Sequence, residues 1–185
     1  MDRRDFCKLG IGGLATAAAV GHAAVADAAG EPLAKVDPDK LARSAVNYLI
    51  QKKRTCAESI LAAGCDALGI RSDLIPDIAL GLGGGVGCQG RICGVVSGGA
   101  MVLSLAMARK QPDYAKRMMP TLMASGEYFN ACFKALGTCN CRKLSGLDLT
   151  TPEGRMKLKT SVKAKVCSKY MEKAGRILAE HLNKL

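Results

Sequence analysis

Tryptophan is absent from this 185-residue chain, and there are only three Phe and four Tyr. A surface for stacking nucleic-acid bases is hard to build from so few aromatics. That argues against the nucleic-acid reading that a formal net charge of +11 would otherwise invite. Histidine is almost as scarce, with His22 and His181 alone. Zn–His catalysis and Ser-His-Asp chemistry are therefore poor fits. No Cys-x-x-Cys occurs, which argues against a thioredoxin-like site, and no Cys-x-x-Cys-His, which excludes covalent haem. Past the first 26 residues no uncharged apolar run is long enough to span a bilayer. No β-hairpin signal and no internal repeat is found.

The chain opens Met-Asp-Arg-Arg-Asp-Phe-Cys-Lys-Leu-Gly. Arg3 and Arg4, followed by Phe6 and Lys8, match a twin-arginine export signal. The Ala/Gly-rich stretch from Leu9 to about Ala26 has few large apolar residues and is broken by Gly21 and His22, so it spans poorly. Cleavage is expected after Ala26 or after Ala28. Residues 27–185 would then form one domain in the periplasm, with no stable membrane span. Twin-arginine export carries folded proteins, and is often used where a cofactor is inserted before export.

Loss of the signal removes Cys7 and His22, leaving eight cysteines and one histidine. Arg3, Arg4 and Lys8 against Asp2 and Asp5 give the signal a net +1, so residues 27–185 keep about +10 of the +11. In an exported protein this charge fits an acidic redox partner or an anionic membrane surface, and equally a solvated basic face. Cysteine is then the main reactive inventory. Eight thiols can bind a soft metal or iron–sulfur cluster, cycle as disulfides, or staple the fold. A domain of this size does not need staples to build a core.

The periodicity is helical throughout, so the fold class is all-α, a compact bundle of about five helices with a glycine-rich loop and a cysteine-lined site. Leu41, Ala45, Tyr48 and Leu49 share one face of a helix led by Asp37-Pro38. Thr55 and Glu58 make a capping box for a helix from Cys56 to Leu68, ended by Gly69. A short helix is expected over 72–80. The run Gly81-Leu-Gly-Gly-Gly-Val-Gly-Cys-Gln-Gly90 is too glycine-rich for an element interior. It contains a formal GxGxxG, but without a preceding strand that carries no dinucleotide meaning. It reads as a loop whose backbone closely approaches something and offers N–H groups to sulfur. Cys93 to Lys110 is apolar nearly all round and reads as a buried helix, with Gly94 and Gly98 allowing close packing. Another helix is expected over 114–136, with Pro120 a point of interruption and Gly137 its end. Residues 139–154 read as irregular, and 152–185 as one long basic helix with Val162, Val166, Ile177, Leu178 and Leu182 inward and His181 on the surface.

Helix geometry sorts the thiols. Cys56 and Cys65 are nine residues apart and fall on opposite faces, so one regular helix cannot bring both to one centre. Cys56 and Cys93 start helices, where the dipole favours a thiolate. Cys141 lies in a loop. Cys167 lies in the last helix beside Lys163, Lys165 and Lys169, which lower its pKa. These four form the better set. Cys65, Cys88, Cys132 and Cys139 are left as a second metal set, two disulfides or independent core thiols. Cys132 and Cys139 could come close around the turn at Gly137.

Thr-Cys56-Ala-Glu, the glycine run, Cys93-Gly-Val-Val-Ser-Gly-Gly, Cys141-Arg-Lys-Leu-Ser-Gly-Leu-Asp-Leu and Cys167-Ser-Lys-Tyr together resemble the redox-active family named for its C_GCAxxG_C_C pattern. The resemblance runs from about Leu41 to Leu178, with Val95 where alanine is usual. It implies that Cys56, Cys93, Cys141 and Cys167 are the functional cysteines. The module is also similar to the non-haem part of split-Soret cytochrome c, where such cysteines are associated with an iron–sulfur-type centre. The haem attachment motif of that protein is lacking here, so dimerisation through stacked haems does not carry over, and a homodimer stays an open expectation. The expected function is single-electron transfer through a [2Fe–2S] or [4Fe–4S] cluster, without haem. The alternative is a metal-free thiol–disulfide or disulfide-stabilised protein.

Overall fold

The computed structural model describes residues 33–185. The expected export signal, with Arg3, Arg4 and Cys7, lies outside the described residues. Local rules account for most helix ends. Asp37 accepts hydrogen bonds from the N–H groups of Asp39 (2.8 Å) and Lys40 (3.0 Å) and opens α1, Pro38–Ile50. The Thr55–Glu58 capping box opens α2, Cys56–Leu68, and Gly69, at φ +68°, closes it. A short 3-10 segment, Asp77–Leu82, stands where a helix over 72–80 was expected. Then come α3, Gly94–Lys110, and α4, Tyr114–Leu136. Pro120 does not interrupt α4, which runs on to a left-handed Gly137.

Residues 139–154 are more regular than their composition suggested. Asn140 caps a short helix, α5, Cys141–Ser145, so Cys141 begins a helix rather than sitting in a loop. The last run is one path divided in three: α6, Pro152–Lys157; a ten-residue π-helical stretch, Leu158–Cys167; and α7, Ser168–Leu182. The five expected helices are thus five helical runs, to which α5 is added, giving seven α-helices among the described residues.

Helix α7 packs on α1, and α3 lies between α2 and α4 while also touching α7. The core is built from Leu41 and Leu49 of α1, Ile60 and Leu61 of α2, Val102 and Leu103 of α3, and Met171 and Leu178 of α7. Tyr128 of α4 is fully buried, and its hydroxyl donates to the Val95 carbonyl at 2.9 Å, tying α4 to α3. His181, expected on the surface, is buried. Its ring stands edge-on to Tyr128 with centroids 5.8 Å apart, and Nδ1–H donates to the Ile177 carbonyl at 2.8 Å. That bond one turn back supplies the partner a buried imidazole needs. The long outer face of α4 stays open, with Met118, Met119, Leu122, Met123 and Phe133 exposed. No helix among the described residues is long and apolar enough to cross a membrane.

Candidate redox site

Cys56 and Cys93 come together because α2 and α3 nearly touch at their N-termini. A Cβ on Gly94 would stand 2.6 Å from the Ala57 nitrogen, and one on Gly98 would stand 2.5 Å from the Ala57 carbonyl oxygen. Only glycine lets the two backbones approach this closely. Cys93 itself is the N-cap of α3.

A short antiparallel bridge between Ile92 and Asn140 brings in the third cysteine. The Cys93 N–H donates to the Cys139 carbonyl and the Cys141 N–H to the Arg91 carbonyl, both at 2.7 Å. The fourth arrives on the π-helical stretch. Its wide turn puts Leu158, Lys163 and Cys167, spaced five and four residues apart, along one side of a shared cavity. The uncommon geometry therefore has a local consequence, though none of its ten residues is buried.

The four thiols form a run, Cys167–Cys56–Cys93–Cys141, each close enough to the next to shift its titration. The run borders a cavity of about 300 Å³. Val95, Leu144, Leu149, Leu158 and Tyr170 give it apolar walls, and Lys163 is the one cation among the residues that line it. The thiols follow one another along the wall rather than surrounding one point. Among the described residues, no three His, Cys, Asp or Glu side chains are gathered closely enough to hold a single ion as placed.

The protonation chemistry differs from the sequence expectation. A helix N-terminus was expected to favour a thiolate at Cys56. Instead its hydrogen bond with Cys167 is the largest influence and, with burial, outweighs the opposing bond from Cys93 and pushes the thiol up to about 12. At Cys93 the bond with Cys141 lowers the pKa, but the bond with Cys56 and burial prevail, again to about 12. Cys141 is pushed up by its bond with Cys93 and by burial. Crowded thiols cannot all ionise in a dry site, and this outweighs the dipole. Of the three lysines expected near Cys167, only Lys163 lines the cavity; Lys165 and Lys169 are exposed. Burial lowers the Lys163 pKa, against the pull of Cys56, Cys167 and Glu58.

Glu58 anchors the cavity's edge. It is buried and accepts hydrogen bonds from the Thr55 N–H (2.9 Å), the Thr55 hydroxyl (2.7 Å) and Arg54 (3.0 Å). Removing any donor would leave part of a buried carboxylate without its partner.

The glycine run closes the cavity as a left-handed turn. Gly84, Gly85, Val86, Gly87 and Cys88 all have φ between +54° and +75°. A Cβ on Gly85 would lie 2.5 Å from the Arg91 nitrogen and 2.8 Å from the Cys141 Cβ. The N–H groups of Val86, Gly87, Cys88, Gln89, Gly90 and Arg91 all donate to carbonyls within residues 81–86. Most of the loop's donors are therefore spent on its own turn and not offered to sulfur, contrary to the sequence expectation. Val86 is half exposed and β-branched at φ +61°, a conformation costing about 1–2 kcal/mol. Val86→Gly is therefore expected to stabilise the fold by about 1 kcal/mol, after allowing for the greater freedom of the unfolded glycine. A urea midpoint that falls in this variant would refute the strain.

The remaining thiols do not gather into a second centre. Cys65 is buried in α2 with Asp66 and Arg71 as its ionisable neighbours, and burial pushes it up to about 12. Cys132 has Tyr128 and Cys139 as its titratable neighbours, and the Cys139 thiol points at the Phe129 carbonyl at 3.9 Å. Cys88 does not join them; it lines the first cavity. All eight cysteines among the described residues are free thiols.

A family model described as putative redox-active protein (C_GCAxxG_C_C) matches residues 54–181. The chain belongs to that family. The match spans all four thiols of the run and the glycine turn. An Archaeoglobus fulgidus protein described as "Uncharacterized protein" is 30% identical over 117 residues, 59% of this chain and 78% of that relative. No solved structure matches. A redox role is thus consistent with both the family and the residues that line the cavity.

Proposed function

We propose that this member of the C_GCAxxG_C_C family is an exported iron–sulfur protein that passes single electrons. The observation that carries the reading is the meeting of Cys56, Cys93, Cys141 and Cys167, from four separate segments, along one cavity. An all-sulfur donor set suits iron–sulfur clusters and other thiophilic metals, and suits hard cations poorly. Apolar walls keep water from a cluster and tune its potential. Such a cluster would supply the one-electron chemistry. The chain's own residues would hold it, exclude water and place Lys163 as a nearby positive charge. Because burial and crowding hold Cys56, Cys93 and Cys141 protonated without metal, loading must displace their protons. The basic surface would steer an acidic redox partner. The twin-arginine signal at Arg3 and Arg4 supports export after loading.

The thiol-to-thiol contacts also favour a second reading, in which neighbouring pairs such as Cys56 and Cys93 cycle between dithiol and disulfide without metal. Protein matured and purified without oxygen separates the two. Iron and acid-labile sulfide of about two or more each per chain, with visible absorbance, are expected for a cluster. A colourless, iron-free protein that resists reconstitution would leave the disulfide reading in front.

A further inference from the structure

We infer that Cys88 is a fifth thiol of the same centre, able to complete a four-thiolate ligand set when Cys167 is withdrawn. This rests on the thiol-bound metal centre proposed above. Cys88 lines the one cavity that also takes Cys56, Cys93, Cys141 and Cys167, so five thiols face a space for which four suffice.

The loop carrying Cys88 is fixed against the other ligands. A Cβ on Gly83 would meet Thr55, the residue before Cys56, at 2.8 Å, and one on Gly85 would meet the Cys141 Cβ at 2.8 Å. The turn also leaves room for this side chain in particular, since a Cβ on Gly84 would stand 3.0 Å from the Cys88 sulfur. The Cys88 N–H is held by the Gly83 carbonyl at 3.1 Å.

Cys167 is the ligand held least firmly. It ends a π-helical stretch with no buried residue and is itself only partly buried. Cys93 and Cys141, by contrast, are buried and pinned through their backbones to Cys139 and Arg91. Two ligand sets are therefore available, sharing Cys56, Cys93 and Cys141 and differing in Cys167 or Cys88.

Cobalt(II) is the probe, because its absorption distinguishes four thiolates from three. The full chain, reduced and metal-free, is titrated as the parent protein, Cys167→Ser and the Cys88→Ser/Cys167→Ser double variant. The parent and Cys167→Ser are expected to give the same four-thiolate spectrum, with affinities within about tenfold. The double variant is expected to lose that spectrum and bind about 100-fold more weakly or worse. If Cys167→Ser already matches the double variant, Cys88 is not a ligand and the inference falls while the centre stands. If the parent gives no thiolate spectrum at all, the metal centre itself falls. Should Cys167→Ser not fold, the same comparison with Cys167→Ala, alone and with Cys88→Ser, decides the question by the same spectra.

Discussion

Cys93→Ser is expected to abolish the visible colour of the protein and to cut its iron to below about a tenth of the parent value, while leaving the helices intact. Cys93 lies within the thiol run, between Cys56 and Cys141, so its loss divides the set in two. The fold should tolerate the change. Cys93 occupies the N-cap of α3 with φ −66° and ψ 138°, and serine is among the best residues for that position. Its backbone bond to the Cys139 carbonyl does not involve the sulfur. Circular dichroism and the thermal midpoint of the metal-free protein should therefore match the parent or exceed it slightly. Cys65→Ser provides the contrast, because that thiol lies outside the cavity and should leave iron and colour in place. Iron and colour that survive in Cys93→Ser would show the ligand set to be wrong. A collapse of helicity would show that the side chain supports the fold rather than a cofactor.

The parts of this site that could be read from the chain are those set by neighbours in sequence. Thr55 and Glu58 announce the start of α2 and so place Cys56, because a capping box spans only four residues. Gly94 and Gly98 signal a close helix contact, since nothing else rewards two glycines one turn apart in an apolar helix. Other features depend on contacts between distant segments. Isolated residues rarely adopt consecutive positive φ values, so a left-handed turn over 84–88 is not foreseen from glycine content alone. It is held by bonds returning to the carbonyls of Gly81, Gly83 and Gly84 and by packing against Cys141. The π-helical stretch carries no sequence signature, and its wider turn, not regular helical spacing, lets Leu158 and Cys167, nine residues apart, line the same cavity. His181 looks like a surface residue beside Glu180 and Asn183, and only Tyr128, more than fifty positions away, explains its burial. Nor do the sequence neighbours of Cys88 set it apart from the other spare thiols: its place in the first cavity follows from the loop's path.

Gly98→Ala tests the contact on which the site depends. The new Cβ would stand 2.5 Å from the Ala57 carbonyl oxygen, 2.7 Å from Ile60 Cγ2 and 3.0 Å from Ala57 Cα. Two of those three are backbone atoms of α2, so no side-chain rotation can relieve them. The helices must move apart, at a cost of about 1–3 kcal/mol for an overpacked core. Alanine returns about 1 kcal/mol through its better helix propensity, so the expected balance is destabilisation. Gly126→Ala in α4 isolates that gain, since a Cβ there meets nothing within 4 Å, and this variant should be more stable than the parent. The difference between the two urea midpoints is then the packing cost at the α2–α3 crossing. The same displacement carries Cys56 away from Cys93, because both lie at the helix ends nearest the crossing. Gly98→Ala is accordingly expected to lose iron even at temperatures where it remains folded. A variant that is destabilised yet keeps its full iron content would show that the centre tolerates separation of α2 and α3, and would place the weight of binding on the Cys93–Cys141 side of the run.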